Sequence, residues 1–170
     1  MEKKIIIKGK RTFDKINGVK SIRNASKKWK NKKLLNKEEQ INILNKLLLE
    51  IKYDDDDYVK KELERKLNSY KNQDIKKDKY SNDFINYQEL IEKLVISKLK
   101  CYYCRNECLL MYENNREKKQ WTLDRLDNDM GHTSENTVIC CLECNLKRRR
   151  IDKDKFLFTK QMRIKKILNN

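Results

Sequence analysis

Cys101-Tyr-Tyr-Cys104 and Cys141-Leu-Glu-Cys144 enclose Trp121-Thr-Leu-Asp-Arg-Leu-Asp-Asn-Asp-Met-Gly-His132 and, four residues on, Asn136. Two short knuckles that each present two sulfurs from one tight turn make a tetrahedral zinc site. The insert between them is too long for a bare finger. It is rich in Asp and Asn and holds the chain's one histidine. These are oxygen and nitrogen donors that suit a hard metal ion. Zinc is therefore expected to hold a frame, with any chemistry lying between the knuckles. Cys108 and Cys140 are left over, either as free thiols or with one of them substituting as a ligand.

The 170 residues amount to about one domain, and 40% of them are charged. A modest core is expected, with the metal supplying part of the folding free energy. The net charge of +16 is segregated. Residues 1–34 hold 13 Lys/Arg against 2 acids, residues 147–170 hold 10 against 2, and the middle is slightly acidic. Lysine-rich composition alone does not explain an acidic middle; a polyanion partner does, and nucleic acid is the first candidate. The candidate phosphate contacts are Lys27, Lys28, Lys30, Lys32 and Lys33 in the first block, and Lys147, Arg148, Arg149 and Arg150 in the second. No apolar run approaches the ~20 residues of a membrane span. With no signal peptide at Met1-Glu-Lys-Lys, an intracellular, reducing compartment is expected, which favours metal over three disulfides.

Periodicity divides the rest. Residues 1–34 read as a weakly structured basic arm. Ile41, Ile43, Leu44, Leu47, Leu48 and Ile51 give one apolar stripe and predict a helix over 37–52. A second helix is predicted after the aspartates 54–57, ending near Tyr70, with a polar linker to about Asp83. A third starts at Asn86, where Asn86 and Glu89 fit a capping box. The helices of 35–95 either pack on the knuckle segment or form a docking surface for a protein partner. Within 96–170, strands are predicted at 109–112, 120–123 and 137–140. A basic helix opens at Cys144-Asn145, and a last helix capped by Asp152 carries Phe156, Leu157, Met162, Ile164 and Ile167. This makes an α+β fold. Its knuckle, hairpin and second knuckle running into a helix would bring Asp124 on a strand near Asn145 on the helix. Two side-chain oxygens would then face one divalent ion, the arrangement that metal-assisted phosphodiester hydrolysis needs.

The joint pattern Cys101-x-x-Cys104, Leu123-Asp-Arg-Leu-Asp-Asn-x-x-Gly-His132, Asn136-Thr-Val and Cys141-x-x-Cys144-Asn145-x-Lys147 resembles the HNH, or His-Me finger, nucleases. The likeness is to the zinc-stapled kind seen in phages and large DNA viruses. It covers about a third of the chain. The resemblance implies a zinc-bound ββα core flanked by an α-helical N-terminal region and a basic C-terminal helix. It further implies structural Zn²⁺ on Cys101, Cys104, Cys141 and Cys144, and catalytic Mg²⁺ or Mn²⁺ on Asp124 and Asn145. Asn136 would brace the loop, DNA would be the substrate, and the protein would work in a cytoplasm or nucleus, a viral factory or a virion.

One departure matters. The family's general-base histidine follows the strand aspartate, and here that position is Arg125, which stays protonated. Three readings compete. His132 serves as the base from the loop; water on the metal is activated with help from Asp127; or catalysis is lost and the module binds nucleic acid without cleaving it. Arg125 suits a phosphate under each of them.

Overall fold

The computed structural model describes residues 16, 17, 36–53 and 56–162. The basic run 27–33 and Ile164 and Ile167 lie outside the described residues. The fold is α+β: α1 (Lys37–Leu48), α2 (Asp56–Lys76), α3 (Tyr87–Ile96), β1 (Trp121–Arg125), β2 (Thr137–Cys141), α4 (Leu142–Arg148) and α5 (Lys153–Gln161). β1 and β2 form one antiparallel pair in which Asp124 stands opposite Val138 and Trp121 opposite Cys141.

Local chemistry sets the ends. The Asn36 side chain accepts from Glu38 N to start α1. Asn86 and Glu89 complete the capping box of α3, and Asp152 accepts from Asp154 N and Lys155 N to start α5. α1 stops four residues short of the predicted end. Glu50 turns left-handed (φ 56°), Ile51 N bonds back to Lys46 O at 2.9 Å, and Ile51 is left half-exposed outside the stripe.

α2 departs the other way and runs on to Lys76. Val59, Leu63, Leu67 and Tyr70 are buried at helical spacing, and Asp74 continues that face with no exposure at all. The predicted strand 109–112 is reduced to one bridge, Leu109 to Gln120. Its next amides go elsewhere: buried Gln40 of α1 accepts from Leu110 N (2.7 Å) and Met111 N (3.3 Å), and donates to Met111 O. α4 starts at Leu142, three residues before Asn145, because Cys141 Sγ caps it by accepting from Cys144 N.

One hydrophobic core joins both halves: Ile43, Leu44 and Leu47 of α1, Leu63 and Leu67 of α2, and Leu90, Ile91 and Leu94 of α3 meet Tyr103, Leu110, Trp121, Leu123 and Ile139. α1 and α3 pack on each other as well as on the knuckle segment. Lys66 of α2 is half-buried over the Trp121 ring (4.2 Å) and donates to Trp121 O. Burial pulls its ammonium down to about 7. Tyr70 OH accepts from Leu123 N at 3.1 Å, so α2 lies directly against β1.

Candidate metal centre and cleft

Cys101, Cys104, Cys141 and Cys144 bring their sulfurs within 4.8 Å of one another. Cys104 Sγ and Cys141 Sγ lie 4.0 Å apart, close to the ~3.8 Å edge of a tetrahedron with 2.3 Å Zn–S bonds. The first knuckle is closed by Arg105 N on Cys101 O (3.0 Å), with Arg105 left-handed at φ 59°. The second is the N-cap of α4. The quartet can therefore hold a metal ion and fits structural zinc. Cys108 and Cys140 stay outside it. Cys108 is buried beside Cys101 and raised by its neighbours and by burial, while Cys140 Sγ sits 3.2 Å from Thr122 Oγ1.

A cleft of about 600 Å³ opens beside this centre. Asp124, Arg125, His132 and Asn145 all line it, so it gathers four of the residues singled out from sequence. Arg149 and Arg150 stand at its exposed edge, and Tyr70, Gln73 and Lys77 close it from the α2 side.

Asp124 is nearly buried. Its Oδ2 accepts from Tyr103 OH at 2.6 Å and is ion-paired with Arg148, whose Nε lies 3.3 Å away without making a hydrogen bond. Burial pushes its carboxyl above the ordinary value, against the pull of Tyr103 and Arg148. Asn145 Nδ2 is spent on Thr122 Oγ1 and Leu123 O, both at 3.1 Å, so its carbonyl oxygen is the atom left to offer. Asn136 braces the loop: Oδ1 accepts from Asp127 N, and Nδ2 donates to Asp127 O and Gly131 O. Asp127 Oδ1 caps a local turn through Asp129 N.

His132 is buried in the loop wall. Its Nδ1 lies 2.8 Å from Asp74 Oδ1, and its backbone N donates to Asp74 Oδ2 at 2.6 Å. Desolvation lowers its pKa, outweighing the raising effect of Asp74. Arg125 donates to Met130 O and stands 3.6 Å from the same Asp74 oxygen. Gly131 makes this approach possible: a Cβ there would stand 2.2 Å from Lys79 O and 3.1 Å from Asp74 Oδ2. Gly131→Ala should push the loop off the segment that follows α2 and cost about 1–3 kcal/mol, read as a lower melting temperature. An unchanged melt would show that the loop is not docked there.

Arg148 departs from the reading of 147–150 as a run of phosphate contacts. It is fully buried, pairs with Asp124, and donates from Nη2 to Arg125 O and Leu126 O (2.7 Å each) and from Nη1 to Arg149 O. Lys147 is exposed and paired with Glu143.

Asp74 and Tyr103 are the site residues that sequence reasoning missed. Asp74 had a signal, falling four residues after Tyr70 on the buried face of α2. Tyr103 had none beyond its place inside a knuckle. No helix among the described residues is long and apolar enough to cross a membrane. No protein-family model, curated protein or solved structure matches this chain.

Proposed function

We propose that the chain is a zinc-stapled HNH-like endonuclease, a divalent-metal-dependent phosphodiester hydrolase acting on nucleic acid, DNA first. The observation that carries this reading is the shared cleft: Asp124 from β1, Asn145 from α4 and His132 from the loop all line one space. Two protein oxygens with room for phosphate and water fit Mg²⁺ or Mn²⁺. Such an ion, when bound, would polarise the phosphoryl group and stabilise the leaving oxygen.

The chain's own residues supply the rest. His132 Nε2 takes a proton from water, whose oxygen bonds to phosphorus as the bond to the leaving oxygen breaks. That oxygen is protonated from solvent. Arg149 and Arg150 hold the flanking phosphates, and the basic arm adds non-specific grip. Arg125 favours a second reading: its guanidinium occupies the family's base position, as expected of a module that binds nucleic acid without cutting it.

Supercoiled-plasmid nicking by the zinc-loaded protein, with Mg²⁺ or Mn²⁺ against EDTA, separates the two. Asp124→Asn is the variant of choice, because an amide keeps the Tyr103 bond near Arg148, where alanine would leave a cavity. Metal-dependent nicking that falls about 10²-fold or more in Asp124→Asn protein that is still folded at the assay temperature is the expected result. A salt-sensitive mobility shift without nicking would select the binding module.

A further inference from the structure

We propose that Asp74, on the last turn of α2, is the positioning residue of the cleft: it holds His132 as the tautomer protonated on Nδ1 and leaves Nε2 as the acceptor facing the cleft. Its catalytic consequence rests on the hydrolase reading above; the tautomer itself does not.

The argument is one of donors and acceptors. A carboxylate offers acceptors only. Asp74 meets His132 with both oxygens, Oδ2 receiving the backbone N–H at 2.6 Å and Oδ1 facing Nδ1 at 2.8 Å. Two bonds from one rigid group to one residue fix the ring's position as well as its proton. The proton must sit on Nδ1, because two acceptors at 2.8 Å would repel. Nε2 has no hydrogen-bond partner among the described residues and is not among the sealed, unsatisfied polar atoms, so it is the nitrogen that water in the cleft reaches.

Three further contacts hold the pair. Arg125 Nη1 stands 3.6 Å from Asp74 Oδ1 and is itself tied to Met130 O. The Tyr70 ring, one helical turn before Asp74, packs on the imidazole with centroids 4.9 Å apart. Ile85 N bonds to His132 O at 2.8 Å, which fixes the backbone from the other side. Arg125 thereby has a role in this chain that does not require it to act as a base: it neutralises the carboxylate that orients the histidine.

His132 is the chain's one histidine, so its ring nitrogens can be read without assignment in a ¹⁵N-labelled, zinc-loaded sample of the full chain. A long-range ¹H–¹⁵N spectrum at pH 7.5 should show a protonated Nδ1 and an unprotonated Nε2. Asp74→Asn should mix or invert the tautomers and lower kcat for nicking about 10²- to 10⁴-fold with little change in KM. A wild-type ring protonated on Nε2 overturns the proposal, and that measurement needs no variant to fold. A folded Asp74→Asn protein with the wild-type tautomer and rate also overturns it. Wild-type protein that carries the Nδ1-protonated ring yet nicks nothing would refute the hydrolase reading and leave Asp74's hold on the ring standing.

Discussion

Stripping the four-cysteine centre of its metal is expected to abolish cooperative unfolding of this protein, not merely to loosen one loop. Structural zinc supplies on the order of 10 kcal/mol or more to small sites, while a whole domain is stable by only about 5–15 kcal/mol. The sulfurs are not at the periphery. Cys101, Cys141 and Cys144 are buried members of the one hydrophobic core, and Cys141 ends β2 and caps α4. Without a cation, the four sulfurs within 4.8 Å would have to stay protonated or repel one another. Chelation at neutral pH, or Cys144→Ser, should therefore erase the near-ultraviolet signal of Trp121 and Tyr103 along with the melting transition. Acid should act as chelation does, because thiolate ligands must be deprotonated to hold zinc. A metal-free protein that melts as before would remove zinc from the account of the fold.

Arg148→Met should be the most damaging single substitution on α4 outside its cysteine ligand, costing about 3–5 kcal/mol. Its guanidinium is fully buried and answers Asp124 together with the carbonyls of Arg125, Leu126 and Arg149. Methionine fills the space but answers none of these acceptors. Arg149 O keeps Asn128 Nδ2 and Asp124 keeps Tyr103 OH, whereas Arg125 O and Leu126 O lose their side-chain donor at about 1–3 kcal/mol each. The loss should appear as a fall in melting temperature, and Arg148→Lys should recover only part of it, since one ammonium cannot span acceptors placed for a planar fork. Arg150→Met, exposed at the cleft edge, should leave the melt unchanged and serves as the control. Equal melts for the two variants would sink the assignment of Arg148 to the interior.

What could be read from sequence followed the strength of each local rule. The knuckle spacing left little choice about which sulfurs meet, and the caps at Asn86 and Asp152 are short-range hydrogen bonds written in adjacent residues. Arg148 was hidden by its company, in a run of four cations that reads as surface. Its position three residues after Asn145 and four after Cys144 puts it on the inner face of α4, where Cys144 is buried. The last turn of α2 was hidden by its polarity. Lys71-Asn-Gln-Asp74 offers no apolar periodicity, and the partner that makes burial of Asp74 tolerable lies 58 residues away. The lost strand at 109–112 has the same origin, since Gln40 takes its amides from 70 residues upstream.

That reach has a consequence for how the protein comes into being. Gln40 to Met111, Lys66 to Trp121, Tyr70 to Leu123 and Asp74 to His132 each tie a residue of the first two helices to one more than fifty positions later. During synthesis α1 and α2 leave the ribosome long before those partners exist, carrying a lysine and an aspartate on the faces that will become interior. Premature collapse of the helices on each other would strand those two charges without answers. The first two helices thus complete these contacts only once β1 and the histidine loop have been translated.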